Sequence, residues 1–293
     1  MEKKILVQKV NRSLNNFIHW LQSNGYKSYD PYDLWATKYG IMSRKIYYRN
    51  KYIGIPLVLP IVVLDIIAPR VRRFIVTPQS YAIADANICL AFIHLYEVTK
   101  NDKYLDEAKK IADYLFSTSI KNYSGYCWGY PFDWQNCNAF WKAGIPFVTV
   151  TPYCFNAFLK LYMVTSNTKY LDIAYSISKF IFYDIKEEKI ADNICSCSYS
   201  PFDHTRVINA ASYRAQVLME ASCIFNNPEF ESAAWRNINF ILYAQNQNGS
   251  WNYEYENSQN NFIDNFHTCI VLKNLVNIYN RTKSPQIFEA IRK

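Results

Sequence analysis

Four segments of this 293-residue chain can be laid under one another, and their shared pattern restricts the fold more than any other feature of the sequence. They are IHLYEVTKNDKYLDEAKKIADYLF, LKLYMVTSNTKYLDIAYSISKFIF, LMEASCIFNNPEFESAAWRNINFIL and LVNIYNRTKSPQIFEAI, and each reads as helix, short polar turn, helix. Tyr104, Tyr170, Phe230 and Phe288 take the same slot, 66, 60 and 58 residues apart. A period near 60 describes a helical hairpin followed by a long loop. Within the first helices, apolar residues recur at three and four, as in Ile88, Ala91, Phe92, Leu95 and Tyr96, or Phe155, Phe158, Leu159, Tyr162 and Met163. That spacing gives each helix a stripe to bury.

Hairpins of this kind bury their stripes against neighbouring hairpins, either closing into a toroid or stacking into a solenoid. The inter-hairpin loops at 119–147, 188–203 and 246–262 are long and aromatic, unlike the short uniform links of a solenoid. The expected fold is therefore all-α, an (α/α) toroid of helical hairpins in one domain over 1–293. Nine helices and a stub opening at Ser284 are predicted, against twelve in a six-hairpin ring, so an incomplete (α/α)6 barrel is expected. First helices in a toroid run parallel. The loops and the residues opening each first helix should then gather at one rim, which is the candidate site.

Upstream, residues 4–24 form another predicted helix, and GYKSYDPYD follows as a turn segment. The run 52–68 carries Pro56, Pro60 and Asp65, and is shorter than the roughly 20 apolar residues a spanning helix needs. It reads as a buried core helix. With Arg70, Arg72 and Arg73 adjacent, a peripheral membrane contact through 52–73 is the alternative.

Composition removes several function classes. Half the residues are hydrophobic and 19% charged, enough for a large core. Only 7 glycines are present, and no GxGxxG or GxxxxGK[ST] loop can be assembled from them. Eight cysteines with one CxC and no CxxC give poor support to a zinc site, and no metal or cofactor is expected. The opening MEKKILVQKV lacks the apolar core of a signal peptide, so a cytoplasmic protein, with membrane association as the variant, is expected. The net charge of +8 suits an anionic polymer or membrane, but the basic residues are scattered around a long apolar run, so nucleic-acid binding is not expected.

Three loop motifs carry the candidate chemistry. CWGYPFDWQ (127–135) sets Trp128, Tyr130 and Trp134 around Asp133, and flat rings beside a carboxylate suit a sugar, whose C–H faces stack on aromatics while acids bond its hydroxyls. An aromatic plug for one end of the ring is the plainer reading. SYSPFDHTRVINAASYR (198–214) brings Asp203, His204 and Asn209 to a helix start, where Asp203 can serve simply as the N-cap and His204 is the candidate proton donor. QNQNGSWNYEYENSQNNFIDNFHT (245–268) combines Trp251 and Tyr253 with Asp264, Asn265 and His267. Asp264 and His267 stand three apart at a helix start, so both can face one side as orienter and base. Tyr153, Asp33 and Asp85 complete the substrate-binding candidates.

With these segments in hand, the chain resembles the six-hairpin (α/α)-toroid carbohydrate-active superfamily and, within it, the VpsJ-like polysaccharide-biosynthesis proteins. The resemblance is carried by GYKSYDPYD, YAIADANICLAFIHLYE, CWGYPFDWQ, VTVTPYCFNAFLKLY, YSPFDHTRVINAASYRAQVL and QNQNGSWNYEYENSQNNFIDNFHTCIVL. It departs where Leu34 and Trp35 stand in place of a glycine-containing run. The resemblance implies a role in making or modifying exopolysaccharide or surface glycan, with an oligosaccharide or polysaccharide as partner. Inverting hydrolysis would pair Asp133 with Asp264 across about 6.5–9.5 Å. Epimerisation or elimination would instead use a His or Tyr base beside an acidic sugar. A catalytically silent glycan-binding or scaffolding subunit is the alternative from a different class.

Overall fold

The computed structural model describes residues 2–136, 139–256 and 261–293. Cys137, counted among the cysteines above, and residues 257–260 of the third motif lie outside them. The chain falls into two compact units, one made of residues 1–81 and 131–143, the other of 82–130 and 144–293.

The first unit contains α1 (Glu2–Asn24), α2 (Lys38–Arg49), α3 (Lys51–Ile67), a 3-10 turn at Pro69–Val71 and α4 (Arg72–Ile75). A short antiparallel hairpin, β1 (Trp134–Gln135) with β2 (Phe140–Trp141), belongs to the same unit. Asn50 both ends α2 and starts α3, its side chain accepting from the backbone N–H of Tyr52 and Ile53. The sharp reversal brings the two helices into contact at Gly54, where a Cβ would lie 2.1 Å from the Cα of Tyr47. Helix α3 is not the buried core helix that its composition suggests: only Gly54 and Ile61 are buried. An apolar run looks the same in sequence whether its surroundings are protein or not.

The second unit is built from four consecutive hairpins: α5 (Ala82–Thr99) with α6 (Asp102–Ser117), α7 (Thr151–Thr165) with α8 (Thr168–Tyr183), α9 (Ile208–Phe225) with α10 (Pro228–Tyr243), and α11 (Asn265–Thr282) with α12 (Pro285–Arg292). A second antiparallel hairpin, β3 (Glu187–Ala191) with β4 (Ile194–Cys197), sits in the loop after α8, and the all-helical expectation missed it. The turn inside each helical hairpin repeats one chemistry. The first helix closes on a residue in the left-handed region (Lys100, Ser166, Asn226, Lys283), and in the first three turns an asparagine then caps the second helix. Asn101, Asn167 and Asn227 each accept from the backbone N–H two residues on, the usual N-cap arrangement.

The repeat has a register correction. Counted from the cap, the slot three residues on holds the half-buried Tyr104 and the buried Tyr170, Phe230 and Ile287. Ile287 is fully buried, whereas Phe288 is half-exposed against Tyr279. Aromatic identity drew the alignment to Phe288, but burial puts Ile287 in the slot.

First helices pack on first helices, α5 on α7 and α9 on α11, while α8 lies against α9. That is the inner-and-outer arrangement of an (α/α) toroid. The last carbonyls of any helix lack an intrahelical partner. Here the carbonyl two residues before the end of three outer helices is sealed by a buried side chain. The Trp128 indole N–H donates to Leu115 at 2.9 Å, the Trp251 indole N–H to Ile241 at 2.9 Å, and the Arg214 Nε to Ile181 at 3.1 Å.

Arg214, almost wholly buried, also donates to Glu187 and to Asn237, and Arg236 binds both oxygens of Glu187. Asn237 in turn donates to the carbonyls of Cys195 and Ser196, so the β3–β4 hairpin is clamped to α9 and α10. Burial pushes the Glu187 carboxyl up, but the two guanidinium groups outweigh it and hold the group below its ordinary range. Such a group stabilises the fold above the unfolded carboxylate value of about 4.3 and loses that contribution as pH falls through the depressed folded value. Glu187→Gln, which strands a buried guanidinium, is expected to cost about 3 kcal/mol at neutral pH. The gap to the native chain should narrow below about pH 4. Urea unfolding at pH 7 and pH 3.5 checks both; a gap that does not change with pH would deny Glu187 this role.

Candidate functional site

Two of the candidate residues meet at the start of α11. Asp264 is the N-cap: its Oδ1 accepts the backbone N–H of His267 at 2.7 Å. The same carboxylate faces the His267 ring, with Nδ1 at 2.8 Å from Oδ2 and 3.0 Å from Oδ1. Partial burial of Asp264 works against its charge, yet the hydrogen bonds from the His267 backbone and ring prevail and hold its carboxyl below the ordinary range. An ionised carboxylate only accepts, so Nδ1 carries a proton, and the neutral tautomer that this selects has Nε2 as its acceptor. The three-residue spacing read from the sequence thus becomes a real Asp–His pair.

Three rings surround the imidazole. Tyr253 lies 4.7 Å from it edge-on, Phe266 5.1 Å and Phe262 5.6 Å. Tyr253 and Phe262 stack nearly parallel, 4.9 Å apart with a 9° interplanar angle. Backbone pairing fixes them: Tyr253 N–H donates to Phe262, and the Tyr253 carbonyl accepts from Ile208 at the start of α9. Asn261 closes the same loop by bonding both the N–H and the carbonyl of Glu254.

The same unit also holds buried polar atoms without a hydrogen-bond partner. Asn209, next to Ile208 and 5% exposed, has a buried Oδ1 with no hydrogen-bond partner. The hydroxyls of Thr268, next to His267, and of Thr149, ahead of α7, are likewise buried and unpartnered. Further along the first helices, the Tyr153 and Tyr213 hydroxyls meet at 2.6 Å, and the Lys273 ammonium lies 4.8 and 5.0 Å from their ring centres. Burial, then the neighbouring Tyr153, pushes the Tyr213 phenol far up, so it stays protonated. Towards the other end of the same helices, Asn156, Gln216, Asn277 and Arg281 line an open pocket of about 400 Å³.

The remaining sequence candidates are placed differently. Trp128 and Trp251 are each 2% exposed and fill the core, so neither offers a face to a ligand. Their indole nitrogens are used on helix-end carbonyls, which a sequence does not reveal. Tyr130 packs on Phe147, and Asn265 is exposed on the first turn of α11. His204 is largely exposed and bonds Glu188 at 2.6 Å. Asp203 does not cap α9, whose N-cap is Val207; it accepts from Tyr199, Ser200 and Thr205 and shapes the loop. Asp85 is buried on α5 near Cys154.

Asp133, Trp134 and Asp33 belong to the first unit, whereas Asp264 belongs to the second. Asp133 accepts the Ala143 N–H at 2.7 Å, Trp134 stacks on Trp141, and Asp33 accepts from Tyr81 and from the Asp30 N–H. Burial raises the Asp33 carboxyl above its ordinary value. Among the described residues no three His, Cys, Asp or Glu side chains converge to hold an ion. Burial also pushes the Cys89 and Cys197 thiols up to about 12, which removes them as thiolate nucleophiles. The sequence reading missed Phe262 and Phe266, although both flank the pair in FIDNFH, and it missed Lys273 and Tyr213.

No protein-family profile matches the chain, and no curated protein matches it. Solved structures do. A cellobiose 2-epimerase from Bacillus thermoamylovorans superposes with a TM-score of 0.57 at 14% identity, covering 73% of this chain and 58% of the epimerase. A family 76 glycoside hydrolase from a bovine Bacteroides thetaiotaomicron strain gives 0.51 at 17%, covering 72% and 46%. An alpha-1,6-mannanase from a Salegentibacter species gives 0.54 at 11%, covering 73% and 59%; an inactive variant of it with two consecutive aspartates replaced is solved with alpha-1,6-mannotetrose. The chain thus spans about half the length of these proteins, and its fold is the (α/α) toroid they share.

Proposed function

We propose that the chain is a carbohydrate-active protein that moves a proton on carbon, as an epimerase or isomerase acting on an oligosaccharide end. The observation that carries this is the Asp264–His267 pair inside the cluster of Tyr253, Phe262 and Phe266. Nε2 removes a proton from the carbon beside the carbonyl of an open-chain sugar, and the electron pair passes to the carbonyl oxygen. A solvent proton delivered to the other face of that carbon inverts it, and His267 passes the abstracted proton to solvent, so the base is restored with no net redox change. A positioned base of this kind supplies roughly 10²–10⁴-fold. The exposed rings of Phe262 and Phe266 suit the C–H faces of a sugar.

Hydrolysis is less well supported. The mannanase variant is inactive without its two consecutive aspartates, and this sequence has no two consecutive aspartates. Asp264, held below its ordinary range, is ionised at neutral pH and so cannot serve there as a proton-donating acid. A part in polysaccharide biosynthesis extends the same reading, with the glycan of a growing or modified chain as substrate.

The test is incubation with a panel of neutral and acidic oligosaccharides in heavy water, followed by NMR and mass spectrometry. Deuterium appearing at the carbon beside the anomeric centre, without cleavage, is the expected result. Cleavage without exchange would favour hydrolysis, and binding with neither would favour a scaffold.

A further inference from the structure

The first unit carries a surface that the proposed chemistry does not use. Helix α3 reverses the usual pattern of a surface helix. Tyr52, Ile53, Ile55, Leu59, Ile66 and Ile67 are all exposed, Ile66 and Ile67 at 74% and 77%. At 100° per residue these positions, with Pro56, Pro60, Val62 and Val63, cover about half the circumference without one charge. The only acid on the helix, Asp65, lies on the opposite side and is paired with Arg72 at 2.9 Å. After Ile67 the chain bends by 103° into the short segment ending at Ile75, where Phe74 is 91% exposed.

Charge is concentrated in the same place. Residues 38–73 hold eight Lys and Arg against one acid, so this stretch carries nearly all of the net +8 of the whole chain. Arg49 and Lys51 stand at the start of α3, Arg70 and Arg73 beyond its end, and all four are exposed. An uncharged half-cylinder bracketed by cations is complementary to the boundary between acyl chains and anionic headgroups. Seventeen residues give about 25 Å of helix, short of the roughly 30 Å hydrocarbon layer, so the helix suits lying in the interface better than crossing it.

We propose that α3 and the α4 elbow form a monotopic docking surface for an anionic lipid bilayer. The inference is independent of the sugar chemistry of the second unit. Flotation of the full chain with vesicles of phosphatidylcholine, with and without phosphatidylglycerol, tests it. The chain is expected to float with the anionic vesicles and to be released largely by high salt. Ile66→Asp with Ile67→Asp should lower the partition coefficient at least tenfold, and Arg70→Glu with Arg73→Glu about tenfold. All four residues are exposed, so circular dichroism and unfolding midpoints should match the native chain. Failure to float, or floating unchanged in both double variants, overturns the proposal. Self-association in solution that Ile66→Asp with Ile67→Asp abolishes, without vesicle binding, would assign the face to a second copy instead and equally overturn it.

Discussion

Replacing His267 by Asn is expected to lower carbon-bound proton exchange on a responsive sugar by about 10²–10⁴-fold while leaving the fold intact. The separation of effects follows from the geometry. Asp264 caps α11 through the backbone N–H of residue 267, which any side chain leaves in place. Only the ring, and with it Nε2, is lost. Asp264→Asn should act through the ring as well: asparagine caps a helix as effectively as aspartate does, so its Oδ1 keeps the first turn of α11 closed, while its amide N–H can donate to Nδ1 and turn the imidazole to the wrong tautomer. The measurement is single-turnover deuterium incorporation alongside a thermal melt. Retention of exchange within threefold by His267→Asn, with an unchanged melt, would remove the histidine from the mechanism.

Trp251→Ala is expected to cost about 3–5 kcal/mol of folding free energy, lowering the melting temperature by roughly 10 °C in a domain of this size. The indole fills a core position and closes the end of α10 through Ile241. Trp251→Phe keeps most of the volume but strands that carbonyl, and should cost about 1–3 kcal/mol. Both variants, compared per folded molecule, should bind glycan as the native chain does. A Trp251→Ala chain with its native melting temperature but a tenfold weaker glycan affinity would restore the tryptophan to the ligand surface.

The hairpins were legible because two independent signals coincide: a 3.6-residue apolar stripe, and a helix–turn–helix pattern that returns about every 60 residues. The Asp264–His267 pair was legible for a similar reason, since three residues at a helix start bring two side chains to one side whatever surrounds them. The fate of tryptophan was not. Trp128 and Trp251 have the composition of a sugar platform, and only the position of a helix-end carbonyl decides that they point inward. Helix α3 failed for the opposite reason, because hydrophobicity reports that a segment avoids water without naming what replaces it. Ile287 lost its slot to Phe288 through likeness of ring, when distance from the cap was the better guide. The β3–β4 hairpin is too short for alternation to stand out.

The three sealed helix ends have a consequence for how the chain is made. Leu115 is closed by Trp128, Ile181 by Arg214 and Ile241 by Trp251, in each case by a residue that leaves the ribosome later than the helix it finishes. The last turns of these three hairpins are therefore satisfied only once a later stretch of chain, a loop or the following helix, is in place, so a chain cut just after any of these helices would leave that carbonyl without its side-chain partner.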